Sequence, residues 1–182
     1  MNADILHKKA KELHRVVNQV IPKRVKDLGV QFFKSRFRAQ GWLDESFQPW
    51  PKRKKADKKR PGRAILMDRG RLRNSIRGDV RNGGAEIVFG SAEKHARIHN
   101  EGGTITHPAR QRIITHKAYT RGKRKGRVLF HKNNQNATFG KKVNTGSYTI
   151  KMPKRQFMGP SAHLNRIIKR DIQNQIRKIF QS

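Results

Sequence analysis

Cysteine is absent from the 182 residues, and only 12 of them are acidic. The first absence excludes disulfide staples and thiolate metal sites, and fits a reducing cytoplasm. The second leaves little material for carboxylate chemistry: the acids are scattered, Asp44 and Glu45 forming the one adjacent pair, so no acid/base couple is suggested. No apolar run approaches the roughly 20 residues of a membrane span. The opening MNADILHKKAKELH carries charges where a signal peptide has its apolar region, so the expectation is a chain that neither inserts in a membrane nor is exported. A phosphate-binding Walker loop, a G-x-G-x-x-G turn and internal repeats are likewise missing.

What the chain has instead is positive charge. Lys and Arg number 44, for a formal net charge of +32. Self-repulsion on that scale disfavours an isolated compact body and implies a polyanionic setting, which DNA, RNA, an acidic protein surface or anionic lipid would each satisfy. The length suits one core and hence one domain over 1–182.

Apolar residues recur at helical spacing from Asp4 to Gln40, with Leu13, Val17, Leu28, Phe33 and Phe37 among them. Pro22 predicts a break, with a first helix to about Gln19, a second starting around Pro22, and Gly41 as the stop. Trp42, Phe47 and Trp50 follow in a short loop, either plugging the helix end or anchoring a neighbouring subunit. Residues 51–63, PKRKKADKKRPGR, hold nothing larger than Ala56 to bury and read as a basic loop or binding arm.

Ile65 to Met67 reads as a short buried strand. Asp68 is placed to cap a helical turn from Arg69 to Ile76, with Leu72 and Ile76 facing inward. Alternation through Ile76, Gly78 and Val80, the turn Asn82-Gly83-Gly84 and the return Ala85 to Phe89 predict a hairpin. Ser91 is the expected start of another short helix, with Ala92, Ala96 and His99 on one face and Gly102 and Gly103 ending it. Thr104 to Thr106 reads as a strand.

Residues 107–147 form a second basic insertion, read as a projecting hairpin in which Val128 to Phe130 is the plausible strand core. Tyr148 to Met152 returns as a strand, and Pro153 and Pro160 bracket RQFMG at an expected sheet edge. From Ser161 a long amphipathic helix follows, with Leu164, Ile168, Ile172, Ile176 and Phe180 spaced by four. The fold class is therefore α+β, with N-terminal helices and a long C-terminal helix packed on a small, mostly antiparallel sheet.

The residues suggest no catalytic centre and no cofactor. His95 and His99 have the spacing of two zinc ligands on a helix. However, Ala96 stands where a zincin needs glutamate, and Lys94 and Arg97 would repel a dication. HNEGG, from His99 to Gly103, resembles a His-Asn nuclease segment but has no second metal-binding histidine nearby, so His99 and Asn100 are read as hydrogen-bonding a turn. Ser75, Ser91 and Ser161 sit at turns or helix starts, where capping accounts for them.

Three motifs in fixed order carry a family resemblance: ILMDRGRLRNSI (65–76), FGSAEKHARIHNEGG (89–103) and MPKRQFMGPSA (152–162). Together they resemble the phage virion morphogenesis, or tail completion, family, which includes the Mu-like neck proteins. The matching positions are Leu66, Asp68, Gly70, Leu72, Ser75 and Ile76; then Gly90, Ser91, Ala96, Ile98, His99 and Gly102; then Pro153, Arg155, Phe157, Met158 and Gly159. His95 stands where the family commonly has tyrosine, and Lys154 where it has a small residue.

The resemblance implies a structural virion protein of the neck, assembled in the bacterial cytoplasm, forming a homo-oligomeric ring and meeting connector and tail proteins. It carries no membrane role. Basic side chains expected to face such partners or packaged DNA are Lys52, Arg53, Lys54, Lys55, Lys58, Lys59 and Arg60, with Lys123, Arg124 and Lys125 in the second insertion. The competing expectations are a nucleic-acid-binding protein of ribosomal or nucleoid type and a metal-dependent nuclease.

Overall fold

Proline has no amide proton, so Pro22 cannot serve the carbonyl of Asn18, and its ring crowds the preceding turn. The chain answers by widening the helix instead of breaking it. In the computed structural model, which describes residues 3–53, 61–118, 128–130 and 139–181, α1 (Ala3–Arg15) runs through a π-helical turn, Val16–Val20, into α2 (Ile21–Ala39). The Ile21 amide reaches back five residues to the Val16 carbonyl, and Ile21 itself is helical at φ −57° and ψ −48°. The predicted break at Gln19 is therefore a π turn. The stop also moves by one residue: Gln40, at φ 58°, takes the left-handed position, and Gly41 already belongs to a strand.

The described residues fall into two compact units, Met1–Gly103 with Pro153–Ser182, and Thr104–Met152. In the first, α2 buries Phe32, Phe33 and Phe37. These rings meet Trp42 and Trp50 from the hairpin of β1 (Gly41–Leu43) and β2 (Phe47–Pro49). Both tryptophans are core residues, whereas Phe47 is about half exposed. Of the two readings of this loop, the tryptophans follow the first: their large apolar area is used inside the chain.

Leu72 and Ile76 face inward as expected. The hairpin also forms as expected: β3 (Ile76–Arg81) pairs antiparallel with β4 (Glu86–Ser91), and a 3-10 turn over Asn82–Gly84 links them. A Cβ on Gly84, at φ 107°, would lie 2.8 Å from the Asn18 carbonyl oxygen, so a glycine there lets the turn approach the π-helical segment.

Two expectations fail within the first motif. Residues 65–67 form a turn with Leu66 at φ 58° in place of a strand. Gln40 imposes it by accepting from the Ile65 amide and donating to the Ile65 carbonyl, which leaves no strand partner for that backbone. The helical turn shortens to α3 (Arg71–Asn74) and starts at Gly70, at φ 72° and without a side-chain cap; Asp68 pairs with Arg63 at 2.7 Å.

Likewise α4 (Ala96–Glu101) begins later than Ser91, which ends β4, and it closes at Gly102 and Gly103 in positive-φ conformations as predicted. Residues 153–160 run without strand pairing, so Phe157 enters the core from an irregular segment and not from a sheet edge. The final helix, α5 (Ala162–Gln181), packs on α1 and α2, and Arg24 ties to Asp171 at 2.5 and 2.8 Å. Ser161 caps it: its Oγ accepts from the Leu164 amide at 3.1 Å and donates to the Leu43 carbonyl at 2.8 Å. The apolar stripe ends one residue early, Ile179 being buried and Phe180 exposed.

In the second unit β5 (Gly103–His107) pairs with β9 (Tyr148–Met152), and the His107 and Tyr148 rings stack 4.7 Å apart. Three further strands, β6 (Arg110–Ala118), β7 (Val128–Phe130) and β8 (Phe139–Thr145), form an antiparallel sheet in the order β7-β6-β8. Thus the insertion holds more strand than its one apolar stretch suggested. Backbone pairing from Arg110↔Thr145 to His116↔Phe139 supplies the register, where polar sequence gave no alternation to read. The architecture is α+β: N-terminal helices, small antiparallel sheets and a long C-terminal helix.

Candidate functional site: the motif junction and its basic cleft

The three motifs meet in the first unit. Ser75, closing α3, donates to or accepts from Ser91 at 2.6 Å and also reaches the Leu72 carbonyl, which joins the first motif to the second. At the end of α4 the His99 carbonyl accepts from the Arg155 amide at 2.8 Å. Asn100 Oδ1 accepts two amides, Phe157 at 2.9 Å and Met158 at 3.0 Å, which joins the second motif to the third. Trp50 Nε1 then donates to the Gln156 carbonyl at 2.7 Å, and Phe157, fully buried, lies 5.1 Å from the Phe37 ring. An irregular segment has no ladder of its own, so these side-chain acceptors satisfy backbone donors that would otherwise be buried unpaired.

Beside the junction lies a cleft of about 460 Å³ whose lining includes Arg53, Arg63, Arg69, Arg71 and Arg155. Ile65, Leu66, Met67 and Leu72 form its apolar wall, and His95 and His99 approach it from α4. Arg155 is 7% exposed, and its side chain donates to the Pro51 carbonyl at 3.0 Å. Burial pushes its guanidinium pKa down, and repulsion from Arg53 adds to the shift. Burial also pushes His99 below the ordinary histidine value, helped by His95 and then Arg155, and His99 Nδ1 is buried without a hydrogen-bond partner. The His95 and His99 rings meet edge to face at 5.6 Å. Among the described residues no three His, Asp or Glu side chains gather as a metal site requires.

Comparison with known families decides what this framework belongs to. The model of the phage virion morphogenesis family matches residues 30–177, from α2 to near the end of α5, and so spans all three motifs. The chain belongs to the phage virion morphogenesis family. No curated protein and no solved structure matches it. Membership gives this bacteriophage protein a structural role in virion morphogenesis. No helix among the described residues is long and apolar enough to cross a membrane.

Within the family framework most of the singled-out motif positions are structural. Gly70 and Gly102 hold positive φ, and Gly159 does so at 142°. Leu72 and Phe157 are core, Ser75 links motifs, and His99 lends its carbonyl. Pro153 sits just after β9. Gly90 is different: a Cβ there would meet nothing within 4 Å. Of the basic residues, Lys52 is exposed. Arg53 donates to the Arg63 and Ala64 carbonyls at 2.6 and 2.8 Å, closing the base of the first insertion. Lys54, Lys55, Lys58, Lys59, Arg60, Lys123, Arg124 and Lys125 lie outside the described residues. Gln40 was not legible as a site residue, because a left-handed glutamine carries no sequence signal.

The depressed pKa of His99 has a pH consequence. The folded state disfavours its proton while the unfolded chain binds one near 6.5, so this contribution to stability is full above pH 6.5 and is lost as pH falls toward the folded value. Denaturant titrations between pH 7 and 5 should show stability decreasing with acidification, and His99→Gln should flatten that slope. An unchanged slope would show that His99 is not the group responsible.

Proposed function

We propose that the chain is a neck protein that completes the tail, or joins it to the head connector, as a closed ring of identical subunits. The observation that carries this reading is the family match across the three-motif junction. Two physical features support it. The charge of +32 against 12 acids is tolerable where neighbours or packaged DNA supply negative charge. The two-stranded sheets also leave edge strands that a neighbouring subunit can pair with in heterologous, ring-closing contacts. Both units are read as one domain, whose basic segments 51–63 and 107–147 face acidic connector or tail surfaces or DNA. No step of chemistry is assigned to the chain.

The test is assembly. Infection with phage lacking this protein should give filled heads and tails that remain unjoined by electron microscopy, and the wild-type chain supplied in trans should restore joined particles. A chain lacking residues 54–60 retains Arg53, Arg63 and Ala64 but should restore few. Joined, infectious particles without the protein would overturn the neck assignment. A nucleic-acid-binding role predicts instead a steep salt dependence, with about 6–10 phosphate contacts losing roughly three to five decades of affinity between 50 and 200 mM salt. The ring reading predicts that the protein oligomerises after nucleic acid is stripped away.

A further inference from the structure

The basic cleft contains a buried guanidinium, that of Arg155. Arg155 is buried, yet its side-chain hydrogen bonds go to the Pro51 and Lys52 carbonyls and to no carboxylate among the described residues. Burying a cation away from a counter-ion is unfavourable. Four more arginines, Arg53, Arg63, Arg69 and Arg71, line the same cleft, and among the described lining residues the carboxylate is that of Asp68, which pairs with Arg63. The side chains of Arg69 and Arg71 are exposed and hold no hydrogen bond or ion pair among the described residues. Among the described residues, positive charge in the cleft therefore exceeds negative charge.

The walls say which kind of anion fits. Ile65, Leu66 and Met67 are partly buried against the core and present apolar surface beside the arginines. A phosphodiester backbone brings no apolar side groups to such a wall, and a concavity of about 460 Å³ admits side chains and not a duplex. Carboxylates match the planar two-donor fork of arginine, and neighbouring apolar side chains would cover the wall. We infer that this cleft is a docking site for a segment of another protein in which acidic and apolar side chains alternate. A second copy of this chain is a poor source, since its acids are scattered, with Asp44 and Glu45 the one adjacent pair. The site rests on the chain's own groups; the neck reading bears only on which virion protein supplies the segment.

The experiment uses the purified full chain and a fluorescent peptide of alternating glutamate and leucine, followed by anisotropy at roughly 0.15 M salt, where surface attraction is screened beyond about 8 Å. Arg69→Gln with Arg71→Gln removes two cleft charges at exposed positions. Arg166→Gln with Lys169→Gln removes two charges at exposed positions on α5 as the control. The cleft variant should bind about tenfold more weakly, a loss of about 1.4 kcal/mol, while the control changes less than about twofold.

A glutamine-leucine peptide should not compete. Equal weakening in both variants, or no binding by the wild-type chain, would overturn the site. Displacement of the peptide by duplex DNA, with the same dependence on Arg69 and Arg71, would assign the cleft to phosphate instead. Saturation of the site by self-association, blocked by the cleft variant, would assign it to a second copy. Failure of the neck reading would leave these binding results unchanged, so the two proposals fail separately.

Discussion

Phe157→Ala is expected to lower the unfolding free energy by about 3–5 kcal/mol, the cost of removing a large core aromatic and leaving a cavity. Phe157 has no exposed surface, and its ring lies 5.1 Å from Phe37, which in turn contacts Trp50 edge-on at 5.5 Å. The substitution thus empties the point where α2, the tryptophan hairpin and the third motif converge. Denaturant unfolding measures the loss, and Phe157→Leu, which retains most of the volume, should cost clearly less. A loss under about 1 kcal/mol for the alanine variant would mean that the site collapses freely and that the third motif is not fixed by packing. Because native stabilities are about 5–15 kcal/mol, the alanine variant should also give poor assembly at growth temperature through lack of folded protein.

Asn100→Ala should cost roughly 2–5 kcal/mol by a different route. One oxygen serves two part-buried backbone donors, Phe157 N at 2.9 Å and Met158 N at 3.0 Å, and a donor left unpaired away from water costs about 1–3 kcal/mol. Asn100→Asp keeps an acceptor in place and should be much milder at neutral pH, then worsen on acidification as the carboxylate takes a proton. If Asp and Ala variants were equally unstable, the acceptor would not be what matters at this position. Combining Asn100→Ala with Phe157→Ala should cost less than the two single losses together, since both act on the same short segment.

These two residues show how far the sequence could be read. The third motif stood out for its Pro, Gly and aromatic residues, and Asn100 was expected to hydrogen-bond a turn. That the two meet was not legible: they are 57 residues apart, and the segment holding Phe157 has no periodicity of its own. The fate of Asp68 illustrates the same limit. Its position before a helical turn fits a cap, but Arg63 stands within 2.7 Å in the fold, and a charged pair replaces the cap. The second basic insertion gave the opposite error. Composition marked 107–147 as poor in strand, while antiparallel backbone pairing, which needs no apolar side chains, builds β6 and β8 there.

Sequence alone determined what depends on neighbours a few residues apart. The apolar faces of α2 and α5, the Asn82-Gly83-Gly84 hairpin, the glycine stop after α4 and the Ser161 cap all follow from helical or strand period and from turn chemistry. It also fixed the large positive charge, which no fold can remove. Tertiary structure decided what depends on the field and packing of distant groups. The π turn at Pro22 lies against Gly84, Gln40 accepts a left-handed conformation by holding Ile65, and Arg155 becomes a buried cation beside a cleft that four other arginines also line. Burial and charge proximity are sums over the folded body, so no local pattern of letters encodes them.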